Sequence, residues 1–360
     1  MGRKSDLSRH AITIQGRAIG PDHEPYVICE LSGNHNGSLD RALALVDAAA
    51  ATGCDAIKIQ TYTPDTITME SDRPEFWLRG GLWDGKSLHQ LYGEAYTPYE
   101  WHPALFERAR ARGVTLFSTP FDATAVDLLE SLETPAYKIA SFEMIDLPLI
   151  ALVASKKKPI IMSTGMANHA EIQAAVHTAR QHGCEELVLL HCVSNYPADI
   201  QDANVRTVPA LAQEFGCPTG LSDHTMGSAA SVAAIALGAC VIEKHFTLSR
   251  AEGGPDAGFS LEPHEFKALV SDCKLAHQAL GRAHFDTLGS EQGSRQFRRS
   301  LYVMRDVKRG ELLGAEHVRS IRPGLGLPPA RLWDILGKPA ARDLQRGEPL
   351  LIDMVEGLSA

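Results

Sequence analysis

VIEKHF, residues 241–246, begins as a short apolar run and ends in Glu243, Lys244 and His245, three groups that ionise or bind metal. A strand that runs into a core rarely finishes this way unless those groups have a task. The run is the last of eight similar ones: YVICEL (26–31), AIKIQTY (56–62), TLFSTP (115–120), AYKIAS (136–141), PIIMST (159–164), LVLLHC (187–192), TGLSDH (219–224) and CVIEKHF (240–246). Between them lie stretches with apolar residues at three- and four-residue spacing, which predict helices. RALALVDAAAAT follows the Asn36-Gly37-Ser38 loop, AEIQAAVHTARQHG stops at Gly183, and EPHEFKALVSDCKLAHQALG follows the eighth run. Near-continuous apolar strands alternating with helices predict a parallel sheet covered on both faces. Eight units in sequence predict a closed α/β (β/α)8 TIM barrel. An open doubly wound sheet is the alternative, but no Gly-rich dinucleotide fingerprint follows the first strand.

Nearly every run ends in polar residues: Glu30, Lys58 and Gln60, Ser118 and Thr119, Lys138 and Ser141, Ser163 and Thr164, His191, Ser222 and His224, then Glu243 and His245. A parallel barrel carries all these ends to one rim, where barrel enzymes place their chemistry. Proximity to solvent explains some of this polarity. It does not explain two lysines and two histidines set after apolar runs.

The chain has 360 residues, more than one ordinary domain needs, so a large domain plus a small one is expected. Hydrophobic content of 44% supports a substantial core. A net charge of −9 with no long basic run argues against a nucleic-acid partner. No run of apolar residues is long enough to span a membrane. The N-terminal stretch MGRKSDLSRHAITIQG is charged and lacks an apolar signal region. The seven cysteines are scattered and form no CxxC pair, which reads as buried, reduced thiols in a cytoplasmic protein. The barrel is assigned to residues 1–281. Residues 282–299 are polar, with Gly and Ser, and read as a linker. Residues 300–360 hold a short repeat, RDVKRGELL (305–313) and RDLQRGEPL (342–350), which suggests a small β-rich module with turns at Gly310 and Gly347.

His224 and His245 end neighbouring strands, so their imidazoles can share one metal ion and leave its other positions open to water and substrate. Nitrogen ligands favour manganese, cobalt, iron or zinc over calcium or magnesium. Lys58 and Lys138 end buried strands and must keep their charge paired, either by an anionic ligand or by Glu30, Glu143 or Glu243. Thr119, Ser141, Ser163 and Ser222 add hydroxyl donors, enough to hold a phosphate and a carboxylate. A lysine of this kind can also form a Schiff base, as in an aldolase. The loop ELSGNHNG (30–37) offers Asn34, His35 and Asn36, with glycines for a tight turn. The long connection at residues 79–102, with its tryptophans, reads either as a lid over the rim or as an inserted hairpin packed by its own aromatics.

Taken together, NHNG, AIKIQT, STPFD, YKIASFE, MSTGMA, GLSDHT, VIEKHFT and GGPDAGFSLEP resemble the nonulosonic (sialic-type) acid synthases. RSIRPGLGL resembles the marker of an SAF, or antifreeze-like, domain, and the ordered match runs over roughly residues 10–355. Within that family, QTYTPDTIT and GGLWDGKSLHQLYGEAYTPYEWH are most like the pseudaminic acid synthases, with legionaminic acid synthases next. The resemblance implies condensation of phosphoenolpyruvate with the open-chain aldehyde of an acylamino sugar, with release of phosphate by C–O cleavage. It implies a divalent metal on His224 and His245, manganese first, with cobalt or magnesium as alternatives. Lys58, Thr119, Lys138, Ser141, Ser163 and Ser222 match positions that hold phosphoenolpyruvate. Glu30, Gln60, Glu143, Tyr196 and Asp256 match positions near the sugar, Glu30 and Glu143 as carboxylates facing a developing cation. In SNYP (194–197), Ser194 and Asn195 are both candidates for ligand contact, with Asn195 taken first. Glu243 is expected beside His245, orienting it, and strict alternation turns Lys244 to the opposite face with no catalytic role. The resemblance further implies a homodimer in which the small module of one chain caps the barrel of the other, Phe297 and Arg322 reaching the partner's site. A carbohydrate- or ice-binding protein, the non-enzyme reading, would leave the whole rim without purpose.

Overall fold

The computed structural model describes residues 11–359; residues 1–10, part of the charged N-terminal stretch, and Ala360 lie outside them. A hairpin comes first, β1 (Ile12–Ile14) and β2 (Arg17–Ile19). It turns on Gln15 and Gly16, both at positive φ (45° and 79°), as tight two-residue hairpin turns require. Eight strands follow: β3 (Tyr26–Glu30), β4 (Ala56–Thr61), β5 (Thr115–Pro120), β6 (Tyr137–Ile139), β7 (Ile160–Ser163), β8 (Leu187–Cys192), β9 (Thr219–Asp223) and β10 (Val241–His245). They form a closed barrel in which β10 pairs with β3, and every barrel pairing is parallel. The connecting helices start where the sequence supplies caps. Ser38 Oγ accepts from the Arg41 amide to open Leu39–Ala51, and Asn168 caps His169–Gln181.

Strand alternation divides the apolar residues into two cores. Val27, Cys29, Ile57, Ile59, Ile160, Met162, Leu187, Leu189 and Ile242 face outward and pack under the helices. Tyr26, Ile28, Ala56, Phe117, Ala136, Ile161, Val188, Leu190 and Val241 face inward and pack with Ile12, Ile14 and Ile19 of the hairpin. The hairpin thus plugs the N-terminal end of the barrel, each isoleucine contributing about 1.5–3 kcal/mol of burial. The same inward parity, followed to the other end of the strands, delivers Glu30, Lys58, Gln60, Thr119, Lys138, Ser163, Ser222, His224, Glu243 and His245 above the plug. Ser118, Thr164 and His191 have the opposite parity. They bond to Thr61 and Ile59, Leu190, and Ala203 respectively, away from the rim.

Lys244 also faces outward, its Nζ 2.9 Å from Asp223 Oδ2, and Asp223 accepts from Ser231 Oγ at 2.6 Å in the helix Ala229–Ala236. Between β9 and β10 the backbones approach so closely that a Cβ on Gly220 would lie 2.0 Å from the Val241 carbonyl oxygen. Glycine at that position sets the distance between the two histidine-bearing strands.

A second compact unit begins at Arg282. The stretch read as a linker contains 3-10 turns over Gly289–Phe297. Antiparallel β11 (Ser300–Val303) and β12 (Val318–Ile321) follow, over a core that includes Leu301, Val307, Ile335, Leu344 and Met354. The internal repeat is built as a reciprocal pair. Asp343 Oδ1 accepts from the Arg309 amide and Asp306 Oδ1 from the Arg346 amide, each at 2.8 Å, while Val307 and Leu344 exchange backbone hydrogen bonds.

Candidate active site

The rim is organised around two buried ammonium groups and two buried carboxylates. Lys58 Nζ lies 2.9 Å from Glu30 Oε2 and 3.4 Å from Glu243 Oε1, and Lys138 Nζ lies 3.1 Å from that same Glu243 oxygen. Ser222 Oγ donates to it at 3.0 Å. Burial alone would raise the Glu243 carboxyl, but Lys138 and Lys58 hold it down to about 2. Burial lowers Lys138. For Lys58 burial acts the same way and is outweighed by Glu243 and Glu30, which raise it. Glu243 is therefore the shared counter-charge of the two lysines rather than a support for His245, and Glu143 pairs with neither lysine.

Around this centre lie hydroxyls. Thr119 Oγ1 is 3.5 Å from Lys58 Nζ, and Ser163 Oγ is buried with no partner. An orphaned buried hydroxyl on the same inward rim as two lysines fits an anion's oxygen. Ser141 Oγ accepts from the Gly165 amide at 3.1 Å. A Cβ on Gly165 would stand 2.3 Å from Ser194 Oγ and 2.7 Å from Ser141 Oγ, so these two hydroxyls share one small recess. Asn195, by contrast, is exposed and its Oδ1 accepts from the Tyr196 amide. Of the two candidates in SNYP, Ser194 is the one directed into the rim.

The His224 and His245 rings have centroids 5.3 Å apart. With imidazole–metal bonds of about 2.1 Å, two rings that meet at one ion have centroids roughly 5 Å apart. His224 Nδ1 is 2.9 Å from the Val193 carbonyl oxygen, which places the proton there and leaves Nε2 as the donor. His245 Nδ1 is buried without a partner. Burial, and then the neighbouring positive groups, hold His245 well below the usual histidine range, so it stays neutral as a ligand must. The donor set fits a divalent metal. Among the described residues no group of three or more His, Cys, Asp or Glu side chains has metal-ligand placement, so any ion here would keep open positions. Cys192 Sγ sits 3.8 Å from His224 Nδ1. Its sulfur raises the His224 imidazole against the effect of burial.

The other predicted residues line the mouth. Gln60 Nε2 donates to Glu30 Oε1 at 2.9 Å. Burial pushes the Glu143 carboxyl up to about 7. The Tyr196 ring lies 4.4 Å from that of His224, tilted by 48° to it, and Phe259 lies 4.9 Å from His245. Asp256 is carried on the segment after β10. Asn34, whose Nδ2 donates to the Phe246 carbonyl and to Ser260 Oγ, ties that segment down, as does Asn36, bonded to the Gly253 carbonyl. His35 is buried against Trp101 and Thr97 and serves packing. The connection at residues 79–102 combines both of its readings. Leu78 and Lys86 pair as in a hairpin, and Trp83 reaches Tyr196 (6.1 Å) while its Nε1 donates to the Pro255 carbonyl. Phe297 and Arg322 are exposed residues of the second unit. Sequence reasoning missed Ser32, which bonds Asp256 and Gln60. The signal was a serine within a glycine-rich turn directly after a strand-end carboxylate.

The profile of the NeuB family matches residues 45–285, and that of the SAF domain residues 298–356. The chain belongs to the NeuB family. Its relatives include the pseudaminic acid synthase of Campylobacter jejuni, 44% identical over 329 residues, 91% of this chain and 96% of that one. The N,N'-diacetyllegionaminic acid synthase of Legionella pneumophila is 36% identical over 336 residues, 92% of this chain and 94% of that one. A solved N-acetylneuraminic acid synthetase from Leptospira borgpetersenii, in complex with citrate, superposes with a TM-score of 0.71 at 31% identity, covering 79% of this chain and 94% of that one. NeuB membership matches the barrel, and the SAF match covers the small unit with its reciprocal repeat.

Proposed function

We propose that the chain is a pseudaminic acid synthase, joining phosphoenolpyruvate to the aldehyde of a 2,4-diacetamido-2,4,6-trideoxy-altrose. The observation that carries this reading is the inward ring of Lys58, Lys138 and hydroxyls set beside two imidazoles at the strand ends. The choice of sugar is supported by 44% identity to a pseudaminic acid synthase against 36% to a legionaminic one. The legionaminic precursor or N-acetylmannosamine is the runner-up substrate, and a Schiff-base aldolase the second mechanism.

In this reading Lys58, Thr119, Lys138, Ser141, Ser163 and Ser222 hold the phosphate and carboxylate of phosphoenolpyruvate, with Ser194 in the Ser141 recess. C3 of the enol attacks the aldehyde carbon, and the aldehyde oxygen takes up a proton. Water adds at C2, phosphate leaves with its bridging oxygen, and a 2-keto acid remains. Glu30 and Glu143 face the cation developing at C2. With its carboxyl near 7, Glu143 can also accept or return a proton at neutral pH. Gln60, Tyr196 and Asp256 orient the sugar. A divalent cation on His224 and His245, manganese first and cobalt or magnesium as alternatives, supplies Lewis acidity toward the aldehyde oxygen. Charge supports such a cation. The two lysines are already matched by Glu30 and Glu243, so an entering trianion needs further positive charge.

The reading includes a cytoplasmic homodimer in which Phe297 and Arg322 reach a partner's site. Truncation near residue 285 is then expected to weaken sugar binding, and normal kinetics in the truncated protein would count against it. The reading as a whole is tested by phosphate release from phosphoenolpyruvate with manganese, comparing the altrose derivative, N-acetylmannosamine and the legionaminic precursor. Release with the altrose derivative alone, abolished by EDTA, is expected. Release with another sugar moves the substrate, and release with none overturns the reading.

A further inference from the structure

Ser32 stands two residues beyond Glu30, is buried, and has φ +48°, a left-handed conformation unfavourable for a residue that carries a side chain. That turn has an outcome at the mouth of the barrel. Ser32 Oγ bonds the Asp256 carboxylate, and Gln60 Nε2 donates to the same Oγ at 3.3 Å. The backbone of Gly33, next in the turn, also acts to lower the Asp256 carboxyl. Gly33 is held from its other side. A Cβ there would lie 2.9 Å from Ala95 Cβ, at the end of the helix Leu88–Ala95 supplied by the long connection.

The backbone that carries Asp256 is already fixed by other contacts. Asn36 bonds the Gly253 carbonyl, Trp83 bonds the Pro255 carbonyl, and Ser260 Oγ bonds the Asp256 carbonyl. None of these touches the carboxylate. A serine serving only the fold would bond a nearby backbone group. Ser32 instead joins two side chains from separate parts of the chain. It also completes a run of contacts across the mouth: Asp256, Ser32, Gln60, Glu30, Lys58, Glu243, Lys138. One end of that run faces the sugar and the other the phosphoenolpyruvate of the proposed function, on which this inference rests.

We propose that Ser32 is a positioning residue, whose strained turn and hydroxyl fix the Asp256 carboxylate and the Gln60 amide in one orientation for the polar groups of the acylamino sugar. Burial raises the Asp256 carboxyl, and the hydrogen bond from Ser32 and then the Gly33 backbone oppose that rise, so loss of the hydroxyl has a titration signature in the free protein.

The test uses Ser32→Gly, which removes the hydroxyl and relieves the left-handed backbone, and Ser32→Ala, which removes the hydroxyl alone. In both, KM for the sugar is expected to rise about tenfold, the ratio for losing one hydrogen bond to a charged group. KM for phosphoenolpyruvate should rise by clearly less, about threefold at most, since Gln60 and Glu30 stand between Ser32 and Lys58, the nearest of its ligands along the run. Equal rises in both constants, or none, overturn the inference. Independently, the Asp256 carboxyl is followed by carbon-13 NMR in the substrate-free protein, its resonance assigned with Asp256→Asn. An upward shift of about one pH unit is expected in Ser32→Gly. An unmoved titration overturns the inference even if the sugar turns over. Failure of the wild-type protein to turn over any sugar counts against the synthase reading alone, and the titration then still decides whether Ser32 holds Asp256.

Discussion

Replacing Glu243 by Gln tests the charge balance of the rim most sharply. The substitution keeps the shape and leaves an amide oxygen for Ser222, but it removes the one anion shared by Lys58 and Lys138. Lys58 retains Glu30 at 2.9 Å. Lys138 loses its only anionic contact within 4 Å among the described residues. Breaking a buried pair by removing one partner costs about 3–5 kcal/mol. Lys138 is already lowered by burial and can shed its proton, which limits the cost to about the lower figure. For a barrel unit of this size that corresponds to a fall in Tm of roughly 5 °C. Calorimetry of the metal-free protein should show that fall, and Lys138→Met/Glu243→Gln should recover most of it. Phosphoenolpyruvate should raise the Tm of Glu243→Gln more than that of the wild type, because its oxygens replace the lost carboxylate. A fall of less than about 2 °C, or a double variant no better than the sum of the singles, would refute the reasoning.

Three further outcomes follow from the geometry. Gly220→Ala should separate β9 from β10, costing about 1–3 kcal/mol of stability, and should weaken manganese binding at least about tenfold; denaturant unfolding and manganese titration check both. Glu143→Gln should lower kcat by about a hundredfold. It should also abolish an acid limb near pH 7, because below about 7 the wild-type carboxyl is protonated and the rate falls as the carboxylate is lost. Lys244→Met leaves Asp223 buried without its cation and should destabilise the protein by about 3 kcal/mol, yet kcat per folded molecule should stay within about twofold, since Lys244 faces away from the rim.

The features legible in the sequence were those governed by strand parity. Alternation alone turns Lys244 away from Glu243 and His245, and it collects Lys58, Lys138, His224 and His245 on the inside of one barrel end. What stayed hidden depends on distances across the barrel. The sequence offered Glu30, Glu143 and Glu243 alike as partners of the lysines; that Glu243 reaches both Lys58 on β4 and Lys138 on β6 while Glu143 pairs with neither depends on barrel closure rather than spacing. Ser32 escaped for a local reason, since its left-handed turn breaks the alternation that identified its neighbours. The N-terminal hairpin was legible in principle, as ITIQGRAI alternates around Gln15-Gly16, but its role as a plug needs the inward residues of seven other strands. In the small unit the repeat was visible as text. Its reciprocal bonding of Asp306 and Asp343 was not, because residues 37 apart meet only in the folded module.

The most direct measurement of the central claim follows the carbon bond itself. Phosphoenolpyruvate labelled with carbon-13 at C3 is incubated with the altrose derivative, manganese and the protein, and the product is read by NMR. The expected result is a methylene signal coupled to the new carbinol proton of a nine-carbon 2-keto acid, absent when the metal is removed. A methyl signal of labelled pyruvate, or unchanged phosphoenolpyruvate in the presence of metal and sugar, would contradict it.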